Sequence, residues 1–465
     1  MVGAAQPALE LARLWADNGL DAGALARIEL TGADPVLPCS FAVGTVAQVS
    51  TAAAALAATE IGRARNGLTQ GASVDMLASA LECTAWFSID GRTPEQWDKI
   101  SGLYRCAEGW VRIHANFAHH RDGALRLLGL APGVDTPRGA VEAALLKWNA
   151  FEFEQAAADA QLVVAALRRF DQWDAHPQAV SVAALPLVTI EKIGAAAPRK
   201  LPSLAQTARP LAGIKVLELT RILAGPVCGR TLAAYGADVM LVNSPKLPNI
   251  ESIIDTSRGK LSCLVDLEEA GGRADLRALL SSAHVFVQGY RPGALDERGF
   301  GPADAAQLCS GVVYVSLSAY GEVGPWAARR GFDSLVQTAT GFNHAEMLAA
   351  GASAPKPLPV QILDYASGFL MAFGAQAALI RQAREGGSWH VRVSLARTAL
   401  WLRSLARVEN GLAIPLPVRE AHLETMASGW GELKALRHAG MLTRTPSGWN
   451  RQSVRPGTHA PRWCD

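Results

Sequence analysis

Two loops in the second half of the sequence carry arginines next to glycine, proline and aromatic residues. The first spans residues 290–295, with Arg298 shortly after it, and the second spans residues 321–333, which include Trp326 and Arg330. Arginine binds phosphates through paired hydrogen bonds, and an arginine beside an aromatic ring suits an adenosine phosphate. For either loop alone, solvated arginines on the protein surface are the alternative interpretation.

A third loop, residues 220–226, follows a short β-rich segment. If a helix begins in this loop, its free backbone N–H groups can bind a phosphate or an oxyanion. A dinucleotide site would need G-x-G-x-x-G here and an acidic residue at the end of the next strand. The glycine pattern is absent and Asn243 occupies the second position, so the sequence disfavours NAD. An ordinary strand–helix turn is the alternative.

A lone carboxylate, Asp364, precedes a long and almost uncharged segment, residues 366–380. This segment is typical of a buried helix, and Asp364 lies where its N-cap is expected. One interpretation is that Asp364 only caps the helix, which is a common stabilising role. The other is that the carboxylate is held at the helix start for chemistry.

The elements that must position these residues alternate between strand and helix patterns. Apolar strands are predicted at 213–219, 237–242, 261–267, 284–290 and 311–321, with helices at 227–236 and 271–282. Apolar strands separated by helices imply a parallel sheet with right-handed crossovers. The predicted class is α/β, with a Rossmann-like doubly wound parallel sheet as core and a smaller α+β domain supplied by the N-terminal half.

The N-terminal half has its own pattern. Residues 50–84 predict two helices, or a helix and a strand, around a glycine turn, and residues 101–117 predict a β-hairpin. Helices are expected from about 123 to 183. A Pro- and Ala-rich stretch, 186–212, predicts a linker. The predicted domains are 1–200 and 213–465, with 201–212 between them.

Composition limits the function classes. The 465 residues carry a net charge of +2, from 44 basic and 42 acidic side chains, which argues against nucleic-acid binding. The seven cysteines form no C-x-x-C pair, which favours a reducing compartment. No stretch of 18 uncharged apolar residues occurs, so we expect no membrane span, and the charged first residues are unlike a signal peptide.

Together the motifs resemble a known family. The ordered series PLAGIKVLELTRILAGP, YGADVMLV, RGKLSCLVDLE, VQGYRPGALDERGF, VVYVSLSAYGEVGPWAARRGFDSLVQTATGF and LDYASGF is similar to the family III CoA-transferases, which include formyl-CoA and carnitine CoA-transferases and α-methylacyl-CoA racemases. The similarity spans nearly all of residues 209–400. In the first half, TQGASVDMLASALE and YRCAEGWVRIH resemble later parts of the same family. Residues 54–76 also resemble 376–393, so the chain is predicted to be a fused, partly duplicated member.

The resemblance implies an activity and a site. It implies CoA transfer from an acyl-CoA thioester to a small carboxylic acid, with Asp364 as the nucleophile that forms a covalent aspartyl intermediate. It also implies an interlocked homodimer that uses coenzyme A. From the residues themselves we expect a cytoplasmic location and neither a metal nor NAD as cofactor. The implied CoA-binding residues are Ile222, Ala224, Gly225, Lys260, Tyr290, Arg291, Arg298, Arg330 and Asp333.

Four features depart from the pattern of the family or of its racemases. Asn243 replaces an acidic residue at the end of the second strand, and Glu297 precedes Arg298, where the family commonly has arginine. The second copy lacks a small domain of its own, so its lid must come from elsewhere. In the racemases a histidine precedes the aspartate of G-x-D, but here it is Phe332, which cannot carry a proton.

Two alternatives stay open. One is an acyl-CoA racemase or lyase on the same scaffold, which Phe332 disfavours. The other is a catalytically inactive CoA-binding homologue. An apolar acyl pocket is expected from Leu223, Trp326 and Phe342. The histidines are interpreted as surface or packing residues and not as metal ligands: His114, His119, His120, His344 and His390.

Overall fold

The computed structural model describes residues 2–463. Its first part is built around one alanine-rich helix, α2, which ends at Gly67. Gly67 adopts a left-handed conformation with φ of 74° and donates its N–H to the Arg63 carbonyl. The elements are α1 (Val2–Asp17), β1 (Ile28–Thr31), α2 (Val43–Asn66), β2 (Ala72–Asp75), α3 (Met76–Glu82) and β3 (Phe87–Ile89). Residues 50–84 therefore form helix, strand and helix.

A small α+β unit follows, which we call the hairpin domain (residues 97–167). The predicted hairpin is confirmed, because the Cys106 N–H donates to the Gly109 carbonyl at 3.0 Å across the turn. Helices cover one face of its antiparallel sheet β4-β5-β6. Its elements are β4 (Gly102–Arg105), β5 (Trp110–Ile113), α4 (Ala118–Leu127), α5 (Arg138–Leu145), α6 (Ala150–Asp159) and β6 (Val164–Ala166).

The chain then enters the main sheet earlier than the sequence predicts. After α7 (Phe170–Asp174) and α8 (Pro177–Ala183), residues Thr189–Gly194 form β7, an edge strand antiparallel to the rest of the sheet. This strand lies inside the stretch 186–212 that the composition assigns to a linker. Its apolar residues, Ile190 and Ile193, are three positions apart, so the segment lacks the two-residue alternation that predicts a strand, and the nearby Pro and Ala residues favour a linker.

The core is a seven-stranded sheet with order β10-β9-β8-β11-β12-β13-β7, in which β13 spans Ser388–Ser394. All pairings except β13–β7 are parallel, so the predicted doubly wound α/β class is confirmed. The elements up to its fifth strand are β8 (Lys215–Leu219), α9 (Ala224–Ala234), β9 (Asp238–Asn243), α10 (Ile253–Thr256), β10 (Lys260–Leu264), α11 (Ala270–Leu280), β11 (Val285–Gln288), α12 (Pro302–Leu308) and β12 (Val313–Ser318).

The central helix of the fold is α15, which packs against both α2 and α9. Its length and apolarity would suit a membrane span, and the whole apolar window is buried within the protein. The remaining elements are α13 (Asp333–Ala339), α14 (Phe342–Ala349), α15 (Ile362–Glu385), β13 (Ser388–Ser394), α16 (Leu395–Ser404), β14 (Leu423–Ser428), β15 (Gly431–Leu436) and β16 (Gly440–Leu442).

The two regions that resemble each other in sequence also pack together. Each consists of a 24-residue helix, a strand and a shorter helix: α2-β2-α3 in one and α15-β13-α16 in the other. The Gln376 side chain on α15 donates to the Ala54 carbonyl on α2 at 3.1 Å. The helix pair therefore joins the N-terminal half to the core along a wide buried contact.

Candidate active site

A cavity of about 610 Å³ lies between the hairpin domain and the carboxyl ends of the parallel strands. Open α/β sheets bind their ligands at this edge. Residues of the hairpin domain form one wall, and loops after β8, β9, β11 and β12 form the other. The hairpin-domain wall is Phe117, His119, His120 and Val163, and the opposite wall includes Arg221, Ile222, Asn243, Lys246, Tyr290, Arg291, Arg298, Arg330 and Phe332.

Five of the predicted CoA-binding residues line this cavity: Ile222, Tyr290, Arg291, Arg298 and Arg330. Four others lie outside its lining: Ala224, Gly225, Lys260 and Asp333. Arg221 and Asn243 had no predicted binding role, although both lie on the wall. His119 and His120, interpreted as surface or packing residues, line the cavity as well. Leu223, Trp326 and Phe342, from which an apolar acyl pocket is expected, do not line it.

The loop 220–226 has an unusual backbone. Ile222 has a φ of 76°, a conformation that costs free energy for a β-branched residue and that often marks a functional turn. Helix α9 begins at Ala224, three residues earlier than predicted, so the first turn of the helix includes Gly225. A Cβ at Gly225 would lie 2.6 Å from Thr220, so glycine is needed for this tight turn.

Lys260 supports this loop from behind. Its Nζ lies 2.8 Å from Glu218 and donates to the Pro226 carbonyl at 2.8 Å, and both charged side chains are fully buried. Burial lowers the pKa of Lys260 and raises that of Glu218, and each charge opposes the shift of the other. In this structure Lys260 therefore contacts the loop rather than the cavity.

The mouth of the cavity is rich in cationic side chains. Arg291 is exposed and pairs with Glu297 at 3.1 Å, and Lys246 pairs with Asp266 at 2.9 Å. Arg221 lies 4.9 Å above the Phe117 ring, and burial lowers the pKa of its guanidinium. Exposed ion pairs such as those of Arg291 and Lys246 are weak and exchange readily for a stronger phosphate partner.

Asp364 is not the N-cap of α15, so the capping interpretation is wrong. The helix begins at Ile362, and the carboxylate of Asp333 accepts the N–H groups of Leu363 at 2.7 Å and of Asp364 at 3.0 Å. Gln337 donates a further hydrogen bond to Asp333. Within residues 2–463, no donor lies within hydrogen-bond distance of the Asp364 carboxylate, and its side chain is buried.

The two carboxylates affect each other. Burial raises the pKa of Asp333 to about 6, against the lowering effect of its three hydrogen-bond donors and of Arg112. Burial and the neighbouring Asp333 raise the pKa of Asp364 well above the usual range. Asp333 accepts three hydrogen bonds, so it is the aspartate of the pair that ionises more easily. Asp364 accepts none from the described residues, so its ionised carboxylate is a poorly solvated and strong base.

Phe332, directly before Asp333, connects this pair to the cavity. Its ring lines the cavity and stacks at 4.1 Å on His114, the residue directly after β5. Burial lowers the pKa of His114 to about 3, with Arg112 contributing. The described residues include no group of three His, Cys, Asp or Glu side chains arranged for a metal ion.

A second arrangement of the same kind lies at the start of α2. Asp34 accepts the N–H of Gly44 at 3.1 Å and of Thr45 at 2.8 Å, as Asp333 does for the second and third residues of α15. Thr45 therefore takes the place of Asp364, and its hydroxyl also donates to Asp34 at 2.8 Å. The N-terminal half therefore repeats the aspartate that accepts hydrogen bonds from the helix start, but it has no counterpart of the Asp364 carboxylate.

The second half of the sequence is similar to a known protein family. The profile of CoA-transferase family III matches residues 211–425. An acyl-CoA transferase of Gibberella moniliformis is 32% identical over 65% of this chain and 58% of its own length. A succinate–glutarate CoA-transferase of Agrobacterium fabrum is 32% identical over 40% of this chain and 51% of its own.

Two further proteins are similar to this chain over a comparable share of their length. A formyl-CoA:oxalate CoA-transferase of Streptomyces coelicolor is 28% identical over 48% of this chain and 58% of its own length. A crystal structure of a hypothetical Mycobacterium tuberculosis protein is 31% identical over 43% of this chain and 57% of its own, with a TM-score of 0.40. The chain thus spans about half the length of most of these relatives. The similarity to CoA-transferase family III thus covers residues 211–425, a little under half of the chain.

Proposed function

We propose that this protein transfers CoA from an acyl-CoA thioester to a carboxylic acid, with Asp364 as the nucleophile. The observation that carries the proposal is the Asp364 carboxylate itself. It is buried, makes no capping hydrogen bond, and has its backbone fixed by Asp333, whose chain neighbour Phe332 lines the cavity. A carboxylate without hydrogen-bond donors is a stronger nucleophile than a solvated one.

The proposed chemistry proceeds through covalent intermediates on Asp364. An oxygen of Asp364 attacks the thioester carbonyl, the C–S bond breaks, and an acyl–aspartyl anhydride and CoA thiolate result. The thiolate attacks the aspartyl carbonyl and releases the donor acid, which leaves an aspartyl-CoA thioester. The acceptor carboxylate attacks this thioester to give a new anhydride, and the thiolate then takes the acceptor acyl group and restores Asp364.

The lining of the cavity suits both the phosphates and the pantetheine arm of CoA. The cationic side chains at the mouth, Arg221, Arg291, Arg298 and Arg330 among them, match a ligand with several phosphates. Phe117, Val163, Ile222 and Phe332 give the cavity an apolar part of its lining, as a pantetheine arm requires. CoA would thus bind with its thioester end near the two aspartates.

The test is intact-protein mass spectrometry after incubation with a panel of acyl-CoAs, followed by hydroxylamine. Hydroxylamine converts an activated carboxyl group into a hydroxamate. A mass gain at Asp364 with one or more donors supports the proposal and identifies the donor. CoA binding without any adduct, and without exchange of CoA between acids, would favour the inactive CoA-binding homologue instead.

Some expectations from the resemblance stay proposals. We propose that the chain is a fused and partly duplicated family member, in which the hairpin domain of the first half covers the site of the second. The position of Phe117, His120 and Val163 on the cavity wall supports this. An interlocked homodimer and a cytoplasmic location are likewise proposals, which size-exclusion chromatography with light scattering and cell fractionation would test.

A further inference from the structure

Gln178, on α8, holds a loop that lies far away along the chain. Its Nε2 donates to the Tyr320 carbonyl at 2.7 Å and to the Val323 carbonyl at 2.8 Å. Its Oε1 accepts the backbone N–H of Trp326 at 2.7 Å. The Gln178 side chain is fully buried, so these bonds form away from competing water. A single amide thus fixes the backbone at three points between residues 320 and 326.

The loop that Gln178 holds connects β12 to α13 and consists of residues 319–332. Gly321 and Gly324 have φ values of 98° and 90°, in the left-handed region that favours glycine. Backbone N–H and C=O groups outside a helix or strand need other hydrogen-bond partners when they are shielded from water. Gln178 supplies such a partner to three of these groups, so the conformation of the loop depends on it.

The later part of the same loop forms part of the cavity wall. Arg329, Arg330 and Phe332 line the cavity, and they directly follow the stretch 320–326 that Gln178 fixes. The exposed Arg330 donates to the Gln161 carbonyl of the hairpin domain at 3.2 Å. A guanidinium binds phosphate through directional hydrogen bonds, so its affinity depends on where the backbone places it.

Trp326 connects the fixed part of the loop to these arginines. Gln178 accepts its backbone N–H, and its own carbonyl accepts the N–H of Arg329 at 2.9 Å. The Arg329 guanidinium also lies 4.0 Å from the Trp326 ring, and that of Arg168 lies 5.0 Å from the same ring. Cation–π contacts of this kind hold the ring and the arginine together. The position of Arg329 therefore follows the position of Trp326.

The aspartate end of the loop is fixed independently of Gln178. Asp333 accepts the N–H groups of Leu363 and Asp364 and a hydrogen bond from the Gln337 side chain. These bonds tie the start of α13 to the start of α15. Loss of the Gln178 bonds should therefore displace the arginines of the loop more than the two aspartates.

We propose that Gln178 is a positioning residue for ligand binding, which holds the loop 319–332 so that Arg329 and Arg330 meet the phosphates of CoA. This inference rests on the proposed function and assigns a residue on which the affinity for CoA depends. Gln178 precedes its three partners by 142, 145 and 148 residues, so no local pattern indicates the contact. A role in folding alone would lower stability and leave the affinity for CoA unchanged.

The first test compares two buried glutamines. Gln178→Met keeps the length of the side chain and removes its hydrogen bonds. Gln382→Met is the matched control, because Gln382 donates to the Ala197 carbonyl at 3.0 Å and accepts the Arg199 N–H at 3.1 Å, outside the cavity lining. Calorimetry with CoA at 20 mM and 300 mM salt, urea unfolding, and the KM and kcat of transfer are measured for each full-length variant.

A second pair of variants disturbs the same contact from the loop side. A Cβ at Gly324 would lie 2.6 Å from the Gln178 Oε1, so Gly324→Ala should push the amide away. Gly351→Ala is its control, because this glycine also has a positive φ, of 59°, but a Cβ there meets nothing within 4 Å. Both variants have the strain of alanine at positive φ, and only one displaces Gln178. This pair gives a result even if Gln178→Met does not fold.

We expect Gln178→Met and Gly324→Ala to raise the dissociation constant of CoA about 10-fold at 20 mM salt, as the loss of one charge-assisted contact would. The difference from wild type should shrink at 300 mM salt, where contacts between arginine and phosphate are screened. KM should rise while kcat stays within about 2-fold, because Asp333 keeps its own hydrogen bonds. Gln382→Met should lose a comparable amount of stability and bind CoA like wild type.

Four results would overturn the inference. They are no binding of CoA by wild type, unchanged affinity in Gly324→Ala and in any folded Gln178→Met, equal weakening by Gln178→Met and Gln382→Met, and a fall in kcat at constant KM. Failure of the transferase proposal gives a different result. No variant would then transfer CoA or form an adduct, while the dissociation constant of CoA would still depend on Gln178 and Gly324.

Discussion

The carboxylate of Asp333 accepts the backbone N–H of Asp364 at 3.0 Å, so one aspartate fixes the main chain of the other. This bond occupies the end of α15 that an N-cap side chain normally serves. It leaves the Asp364 carboxylate without a structural duty and places two buried acids side by side. The arrangement holds a buried carboxylate with a raised pKa in position at the expense of stability.

Asp364→Asn should lower CoA transfer by about 1,000-fold or more, because an amide cannot form the anhydride. It should also stabilise the fold at neutral pH. The folded pKa of Asp364 lies above its unfolded value, so wild type loses stability as pH rises from the ordinary aspartate range toward the folded pKa. Asparagine has no such loss.

Urea unfolding of wild type and Asp364→Asn at pH 5 and pH 7.5 measures this difference. The stabilising effect of the amide should be larger at pH 7.5. An effect independent of pH would mean that the Asp364 carboxylate is not raised in pKa by its burial. The transfer rate of wild type should rise with pH, since only the ionised form attacks.

Glu297→Gln should tighten CoA binding about 2- to 5-fold at low salt, because Glu297 competes with phosphate for Arg291. The two side chains are 3.1 Å apart and both are well exposed, so the gain is small. Calorimetry at 20 mM and 300 mM salt is the measurement, and the gain should shrink at the higher concentration. Glu432→Gln, which changes an exposed residue of β15, is the control and should leave the dissociation constant of CoA unchanged. An unchanged dissociation constant for both variants would remove Arg291 from the phosphate site.

No proton exchange is expected at the α-carbon of a 2-methylacyl-CoA. Phe332 occupies the histidine position of the racemases, and its neighbour His114 has a pKa lowered to about 3 and is a weak base. Incubation in D₂O followed by mass spectrometry of the acyl-CoA checks this. Deuterium incorporation that depends on Asp364 would instead support a racemase.

Gly368→Ala should destabilise the protein by about 1–3 kcal/mol through overpacking. A Cβ at this position would lie 2.5 Å from the Ala224 carbonyl oxygen and 2.8 Å from Val227, where α15 crosses α9. Gly271→Ala is the matched control, because a Cβ there meets nothing within 4 Å and alanine favours the helix. Urea denaturation of both variants is the measurement. Equal stability of the two would mean that α9 shifts freely away from α15.

The alternation of strands and helices can be read from the sequence alone, and it predicts the parallel sheet and the edge of the sheet at which the cavity lies. That information is local, because period and turn residues depend on neighbours along the chain. It also identified Arg291, Arg298 and Arg330 as candidates, since each lies in a loop directly after a predicted strand. Position 364 was singled out because a lone charge precedes an apolar helix.

The contacts that these residues make depend on the fold of the whole chain. Nothing local shows that Asp333, 31 residues earlier, caps the helix of Asp364, or that Lys260 is held by Glu218. Nor does the local pattern show that Arg112, in a different half of the chain, lies close enough to Asp333 for its charge to act on that carboxylate. Such contacts arise when α15, α2 and the hairpin domain bury their apolar faces together, and burial then sets each charge's partner and pKa.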